Sequence, residues 1–231
     1  MRTLSIIMPV LDEADAVVGG LGALADCRRR GVEVIVVDGG SRDGTVALAR
    51  ELADRVVAAP RGRGGQMNAG AAGAGGDVLL FLHADTRLPP EADRLVLDSL
   101  ARSGRAWGRF DMAIAGRSRA LTLVACAMNL RSRLTGIATG DQAVFVRRDA
   151  FARAGGFPDI ALMEDIALSR RLKRISPPLC LAARVTTSAR RWERHGVWRT
   201  IVLMWRLRLA YFLGAEPAVL ARRYGYAPRE S

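Results

Sequence analysis

The chain has 231 residues, 50% of them hydrophobic, enough for one α/β domain with a proper core. Its net charge of +12 rests on 35 basic residues of which Lys173 alone is a lysine, scattered without the aromatic pattern of RNA-binding modules, so nucleic acid is set aside for a phosphorylated substrate or an anionic membrane surface. Cys27, Cys126 and Cys180 form no metal or redox spacing, no stretch is long and apolar enough to cross a bilayer, and Met1 leads straight into a strand-length run, so a cytoplasmic protein without a leader is expected.

Leu4 to Met8 reads as the first strand, ended by Pro9, with a loop through Asp12 and Glu13 feeding a helix from about Ala14 to Arg29. Glu33 to Val37 is a second, buried strand that stops at Asp38-Gly39-Gly40. Asp38 therefore stands at the carboxyl end of a parallel strand, where α/β sheets place ligands, and the glycines let a flat group approach the backbone. An acid there suits hydrogen bonds from a base or ribose; the plainer reading is a solvated turn. A helix from Asp43 to about Asp54 and a strand from Arg55 to Ala59 complete two strand–helix alternations, the pattern of a doubly wound sheet.

Pro60 to Gly70 is rich in glycine and arginine and carries Gln66 and Asn68. It reads as a loop suited to phosphate, or as a mobile surface segment, before a short helix from Ala69 to Gly75. Asp77 to Leu82 is the most apolar strand and is expected at the sheet centre. His83-Ala84-Asp85 follows, with Asp85 a metal or ribose ligand candidate and His83 either a partner or a strand-end residue. Pro89 to Leu100 is an amphipathic helix, Trp107 to Ile114 an antiparallel edge strand, Ser118 to Leu134 a helix, and Ala143 to Val146 a strand after a flexible turn. A short helix follows from Asp149 to Ala154. Glu164 and Asp165 open a helix to about Ile175, either as dipole-stabilised N-terminal acids or as a general base facing the cleft. Strand-like runs at Leu179 to Ala183 and Val185 to Ser188 precede a helix from about Val197 to Leu213. Its Trp and Arg residues suit a membrane surface, a partner subunit or the sheet itself; a basic tail from Pro217 closes the chain.

Taken together, Pro9-Val10-Leu11-Asp12-Glu13, Val36 to Thr45, Gln66-Met67-Asn68-Ala69-Gly70, Leu82-His83-Ala84-Asp85, Gly140-Asp141-Gln142 and Met163-Glu164-Asp165 resemble, in order, the motifs of the family 2 glycosyltransferases. The chain looks most like their short, single-domain bacterial branch, sometimes found beside radical-SAM and selenocysteine-type genes. The resemblance implies the GT-A fold, a mostly parallel Rossmann-like sheet flanked by helices, over residues 1–190, with a helical extension over 191–231. Within the domain it implies a nucleotide part to about 105 and an acceptor part from about 106.

It further implies an inverting, non-processive transfer of one sugar from a nucleotide-sugar, a UDP-sugar first, to an unknown acceptor. Pro9, Glu13, Asp38, Gly40, Arg61, Gln66 and Asn68 would border the nucleotide, and Asp85 would hold Mn²⁺ or Mg²⁺ on the diphosphate. His83 stands where the family has the first acid of Asp-x-Asp, a departure that bears on metal affinity. Asp165 would be the general base, supported by Glu164, and Asp141, Gln142, Arg191 and Trp192 would shape the donor and acceptor pocket. Ser188 to Trp192 resembles a degraded Gln-x-x-Arg-Trp motif. A homodimer and contact with the inner membrane face are left open. Two rivals stand beside this reading: a sugar-phosphate nucleotidyltransferase, and a non-catalytic binding protein on a transferase scaffold.

Overall fold

The structure, a computed structural model, describes residues 3–116 and 118–226. An eight-stranded sheet runs in the order β3-β2-β1-β4-β7-β6-β8-β5. Its strands are β1 (Leu4–Val10), β2 (Glu33–Asp38), β3 (Arg55–Ala58), β4 (Val78–Phe81), β5 (Thr86–Arg87), β6 (Trp107–Ile114), β7 (Phe145–Arg147) and β8 (Leu179–Thr187). The helices are α1 (Ala14–Gly22), α2 (Ala25–Arg29), α3 (Thr45–Leu52), α4 (Arg63–Gly73), α5 (Ala92–Ser103), α6 (Arg119–Thr135), α7 (Arg148–Arg153), α8 (Glu164–Lys173), α9 (Arg190–His195), α10 (Val197–Phe212) and α11 (Pro217–Tyr224). A 3₁₀ turn spans Gly140–Gln142.

Strands β1 to β4 are parallel, and β4 lies at the centre as its apolarity predicts. Alternate residues feed two cores. Ile6, Met8, Val36 and Leu80 face one side with α1, α5 and α6; Ile7, Ile35, Val37 and Leu79 face the other with α4, α7 and α8. Burial on both faces explains why these strands read as continuous apolar runs. A third, smaller core joins Leu162, Met163 and Ile166 to Leu207 of α10 and Leu220 of α11.

Several local expectations are corrected. Pro9 does not end β1 but pairs with Val37 inside it. The Ile7 carbonyl accepts from Leu82 N and the Val10 carbonyl from Gly39 N, so alternation turns the nitrogen of Pro9 toward β4, which has already ended at Phe81. A residue without an N–H costs nothing there. Strand β6 is interior rather than an edge, antiparallel to β7 and parallel to β8. The two late strand-like runs are one strand, β8, whose register on β6 shifts between Phe110 and Asp111. The predicted helix over 14–29 breaks at Ala23 and Leu24. The basic tail contains α11; its last residues, 227–231, lie outside the described ones.

The glycine-rich segment also differs from its expected form, because α4 begins at Arg63 and carries Gln66 and Asn68 on a helix. Small residues let this helix sit directly on the sheet: a Cβ on Gly70 would meet Ile7 Cγ2 at 2.5 Å and Val37 Cγ2 at 2.9 Å. Both neighbours belong to fully buried β-branched side chains with no room to turn. Gly70→Ala is therefore expected to lower stability by roughly 1–3 kcal/mol despite alanine's better helix propensity, read from a denaturant midpoint.

Candidate active site

The ends of β1 and β2 are laced together. The Asp38 carboxylate accepts from Gly40 N at 3.0 Å and Ser41 N at 3.1 Å and from the Ser41 hydroxyl. That hydroxyl accepts in turn from Asp12 N at 2.9 Å, while Asp12 Oδ1 accepts from Arg42 N at 2.8 Å. Glu13 N donates to Thr45 Oγ1 at 2.9 Å, and Ala14 N to Asp43 Oδ2 at 3.1 Å. The Thr45 hydroxyl and N–H hold the Asp43 carboxyl below its usual range. Gly40 adopts φ +96° to return its N–H to Asp38, a conformation glycine takes without strain. Asp38 thus braces its own turn, and only its rim stays accessible, at 6% exposure.

Gln66 and Asn68 brace the same region from α4. The Gln66 amide donates to Val10 O at 2.9 Å and Val37 O at 2.8 Å, tying α4 across the ends of β1 and β2. Asn68 exchanges a reciprocal pair with the Phe157 backbone, donating to its carbonyl at 2.8 Å and accepting from its N–H at 2.9 Å. Both amides are occupied in the cleft floor. Arg61, just ahead of α4, is exposed.

A second cluster forms where the end of β4, the 140–142 turn and the start of α8 meet. His83 Nδ1 lies 3.5 Å from Asp141 Oδ1. A Cβ on Gly140 would meet His83 Nε2 at 2.6 Å, so the ring lies directly against the Gly140 backbone. Gly140 N donates to Asp165 Oδ2 at 2.9 Å, and Ile166 N donates to Asp165 Oδ1 at 2.7 Å. Burial pushes Asp141 up, but its hydrogen bond to His83 and the charges of His83, Arg63 and Arg191 outweigh that and hold it below its usual range. Burial, then the charge of Asp165, pushes the Glu164 carboxyl up to about 7. Gln142 faces inward, fully enclosed, with Asn129 3.4 Å from its amide nitrogen.

Three of the four non-glycine residues with positive φ among the described residues lie here: Asp12 at 51°, Ala143 at 45° and Met163 at 71°. Each costs on the order of 1–3 kcal/mol; burial holds Ala143 and Met163, and hydrogen bonds with Ser41 and Arg42 hold the exposed Asp12. Met163 sets the entry of α8 and so the aim of Glu164 and Asp165.

Asp85 belongs to a third group. Arg190 Nη2 reaches Glu13 Oε2 at 3.1 Å and Asp85 Oδ2 at 3.6 Å, bridging the loop after β1 to the loop after β4. Among the described residues no group of three or more His, Cys, Asp or Glu side chains is placed to cage a metal. Asp85 fits the other kind of site, in which a hard divalent ion takes one or two carboxylates and draws further ligands from substrate phosphates. Arg191 turns away toward α11, its guanidinium 3.6 Å from the Tyr224 ring centroid and donating to Tyr224 O at 2.9 Å. Trp192 packs against the larger core.

Sequence reasoning missed Arg190 and Arg63. Arg190 adjoins the motif arginine and differs from it only in direction, which the geometry of α9 sets. Arg63 lies 5.1 Å from the Tyr226 ring centroid and acts electrostatically on Glu164 and Asp141; within its glycine-rich segment nothing separates it from Arg61.

Comparison with known proteins agrees with this geometry. The model of the family described as Glycosyl transferase family 2 matches residues 5–148. No curated protein sequence matches the chain. Among solved structures, S. aureus TarS residues 1–349 in complex with UDP-GlcNAc superposes with a TM-score of 0.66 at 18% identity, covering 80% of this chain and 58% of that one. Mannosyltransferase PcManGT from Pyrobaculum calidifontis, in complex with GDP-Man and Mn²⁺, does so with a TM-score of 0.64 at 22% identity, covering 98% of this chain and 66% of that one. The chain spans 36% to 66% of the length of these and the other TarS structures it matches. These likenesses show a shared GT-A fold, and the family match over more than half of the chain places it plainly: the protein belongs to glycosyl transferase family 2.

Proposed function

We propose that the protein moves a single sugar from a nucleotide-sugar, a UDP-sugar first, to an acceptor hydroxyl by one in-line displacement with inversion. The observation that carries this reading is the Asp165 carboxylate, held by the Gly140 and Ile166 N–H groups beside His83 and Asp141 at the end of the central strand. A carboxylate fixed by two donors has a set direction and keeps acceptor capacity for an incoming hydroxyl proton. Glu164, its carboxyl raised toward neutrality, adds little charge to compete with it. The relatives crystallised with UDP-GlcNAc and with GDP-Man and Mn²⁺ support a nucleotide-sugar donor.

Pro9, Glu13, Asp38 and Gly40 line the end of the sheet where base and ribose would lie, with Gln66 and Asn68 supporting that floor and Arg61 at its rim. Asp85, with the donor diphosphate, would hold the divalent ion that neutralises charge on the leaving nucleoside diphosphate. Arg190 contributes positive charge at the same place. Asp141 and Gln142 shape the sugar pocket, the first at its surface and the second as its support. Residues 1–105 would then be the nucleotide part, 106–190 the acceptor part, and 191–231 a helical cover. No helix among the described residues is long and apolar enough to cross a membrane, but α10 exposes Trp198 at 74% and Trp205 at 75%. That face favours peripheral contact with an anionic membrane surface, with a homodimer as its rival.

A second reading is specific to the charge balance: Arg190, already on Asp85, neutralises the diphosphate without a metal. A thermal-shift panel of UDP, GDP, dTDP and CMP with and without Mn²⁺ separates the two. A metal-dependent rise for one nucleotide, lost in Asp85→Ala, is expected; a metal-independent rise lost in Arg190→Ala favours the second, and no rise with any nucleotide sinks both. Asp165→Asn should lower kcat by roughly 10²–10⁴ while nucleotide binding is kept, checked by steady-state kinetics beside the shift assay.

Glu164 predicts a pH dependence of stability. Its folded value lies above the unfolded one of about 4.5, so its contribution is complete below that pH and is lost as pH rises through about 7. Melting midpoints between about pH 4.5 and about pH 8 should fall more steeply in the parent than in Glu164→Gln.

A further inference from the structure

A cavity of about 340 Å³ lies between α6, α8 and α10. Four cations line it, Arg131, Arg170, Lys173 and Arg208, and no carboxylate does. Two of them are provided for: Lys173 donates to the Thr135 carbonyl, and Arg170 lies 4.9 Å from the Phe212 ring centroid. The other two are not. Nε and Nη2 of Arg131 and Nη2 of Arg208 are shielded from solvent with no hydrogen-bond partner among the described residues. Burial, then the neighbouring charge of Arg208, pushes Arg131 down to about 10, and burial lowers Arg208 as well. Two half-buried guanidiniums side by side, with nitrogens lacking any hydrogen-bond partner and only the more distant charges of Asp165 and Asp141 to balance them, are an arrangement that folding alone does not favour.

The remaining walls are apolar, Ile137, Ile166 and Phe212. The cavity adjoins the proposed reaction centre, since Ile166 follows Asp165 and the charge of Asp165 acts on both Arg131 and Arg208. Exposed leucines neighbour the lining residues in the chain: Leu134, next to Thr135, is 78% exposed, and Leu209 and Leu213, next to Arg208 and Phe212, are 61% and 79% exposed.

We propose that this cavity is an anion subsite that holds a phosphate group of the acceptor, between Arg131 and Arg208, with the acceptor's apolar portion against Ile166 and Phe212. Phosphate matches the site better than a carboxylate. Its two charges meet two guanidiniums, and its oxygens accept from both planar forks at once. This phosphate is distinct from the donor diphosphate, whose proposed place is at the ends of β1, β2 and β4. Naming the ligand as acceptor rests on the transferase reading; the anion site itself does not.

The test is a set of titrations on the full chain, followed by thermal shift and calorimetry, with inorganic phosphate, octyl phosphate and octanol as soluble probes. Vesicles of phosphatidylcholine with and without phosphatidic acid form the lipid arm. Octyl phosphate is expected to bind more tightly than inorganic phosphate, and octanol not measurably. Arg208→Gln and Arg131→Gln should each weaken octyl phosphate roughly ten- to hundredfold, with the unliganded melting midpoint held or raised because an unmet buried charge is gone. Arg170→Gln, at the exposed rim, serves if either buried variant fails to fold and should weaken binding in the same sense.

Binding of soluble octyl phosphate identifies a free phosphomonoester; binding confined to phosphatidic acid vesicles and lost in Arg208→Gln identifies a lipid headgroup. Both support the site. Absence of phosphate binding in both arms overturns it, as does vesicle binding that follows bulk anionic charge and ignores Arg208 and Arg170. UDP titrated into the same proteins keeps the two readings apart: UDP binding without phosphate binding overturns only the subsite, and phosphate binding without nucleotide binding overturns only the transferase.

Discussion

The structure depends on how β1 and β2, two neighbouring parallel strands, are held where their ladder ends. Their pairing runs to the last residue, with Val10 opposite Asp38 and the Val10 carbonyl accepting from Gly39 N. One side chain adds to this: the Gln66 amide donates to Val10 O and Val37 O together, from a helix that glycine allows to lie against the sheet. With that floor fixed, the following turns lock through Asp38, Ser41, Asp12 and Thr45. Glu13 is thereby aimed toward Arg190, and the cleft has a wall that does not move with its ligand.

The opposite wall is built on different physics. Around His83, Asp141, Glu164 and Asp165, charges are crowded and backbone conformations are strained, and each unfavourable feature is offset by a specific neighbour. The Gly140 N–H holds Asp165, His83 and Arg63 lower the cost of Asp141, and burial pushes the Glu164 carboxyl up to about 7. Preorganisation of this kind is what electrostatic catalysis needs, since groups already oriented need no rearrangement when charge develops. The C-terminal segment lies against this wall, and Arg191, held on the Tyr224 ring, adds its charge to those that hold Asp141 low.

Much of this was legible in the residues. Apolar runs bounded by Asp38 and Asp85 marked the strands and their carboxyl ends, because burial on both faces leaves no other pattern. Glu164 and Asp165 at a helix start were visible as a pair. Directions were not. Sequence could not show that Gln66 and Asn68 point into the floor, since the helix carrying them begins earlier than its glycines suggest. Nor could it tell Arg190 from Arg191, which differ by one step around α9 and so by which carboxylate or ring each meets. The interior position of β6 was hidden because an alternating strand looks the same whether its neighbour is solvent or a bulged strand such as β8.

The bridge from Arg190 to Glu13 joins residues 177 positions apart, and Thr86 meets Thr187 across 101. Contacts this distant in sequence form only after the intervening chain has collapsed. The four parallel strands can assemble from the first third of the chain, but the cleft they prepare is closed by a segment that arrives last. The same late segment, β8, also completes the sheet and ends three residues before Arg190, so the cleft gains its arginine only where the sheet gains its last strand in the chain.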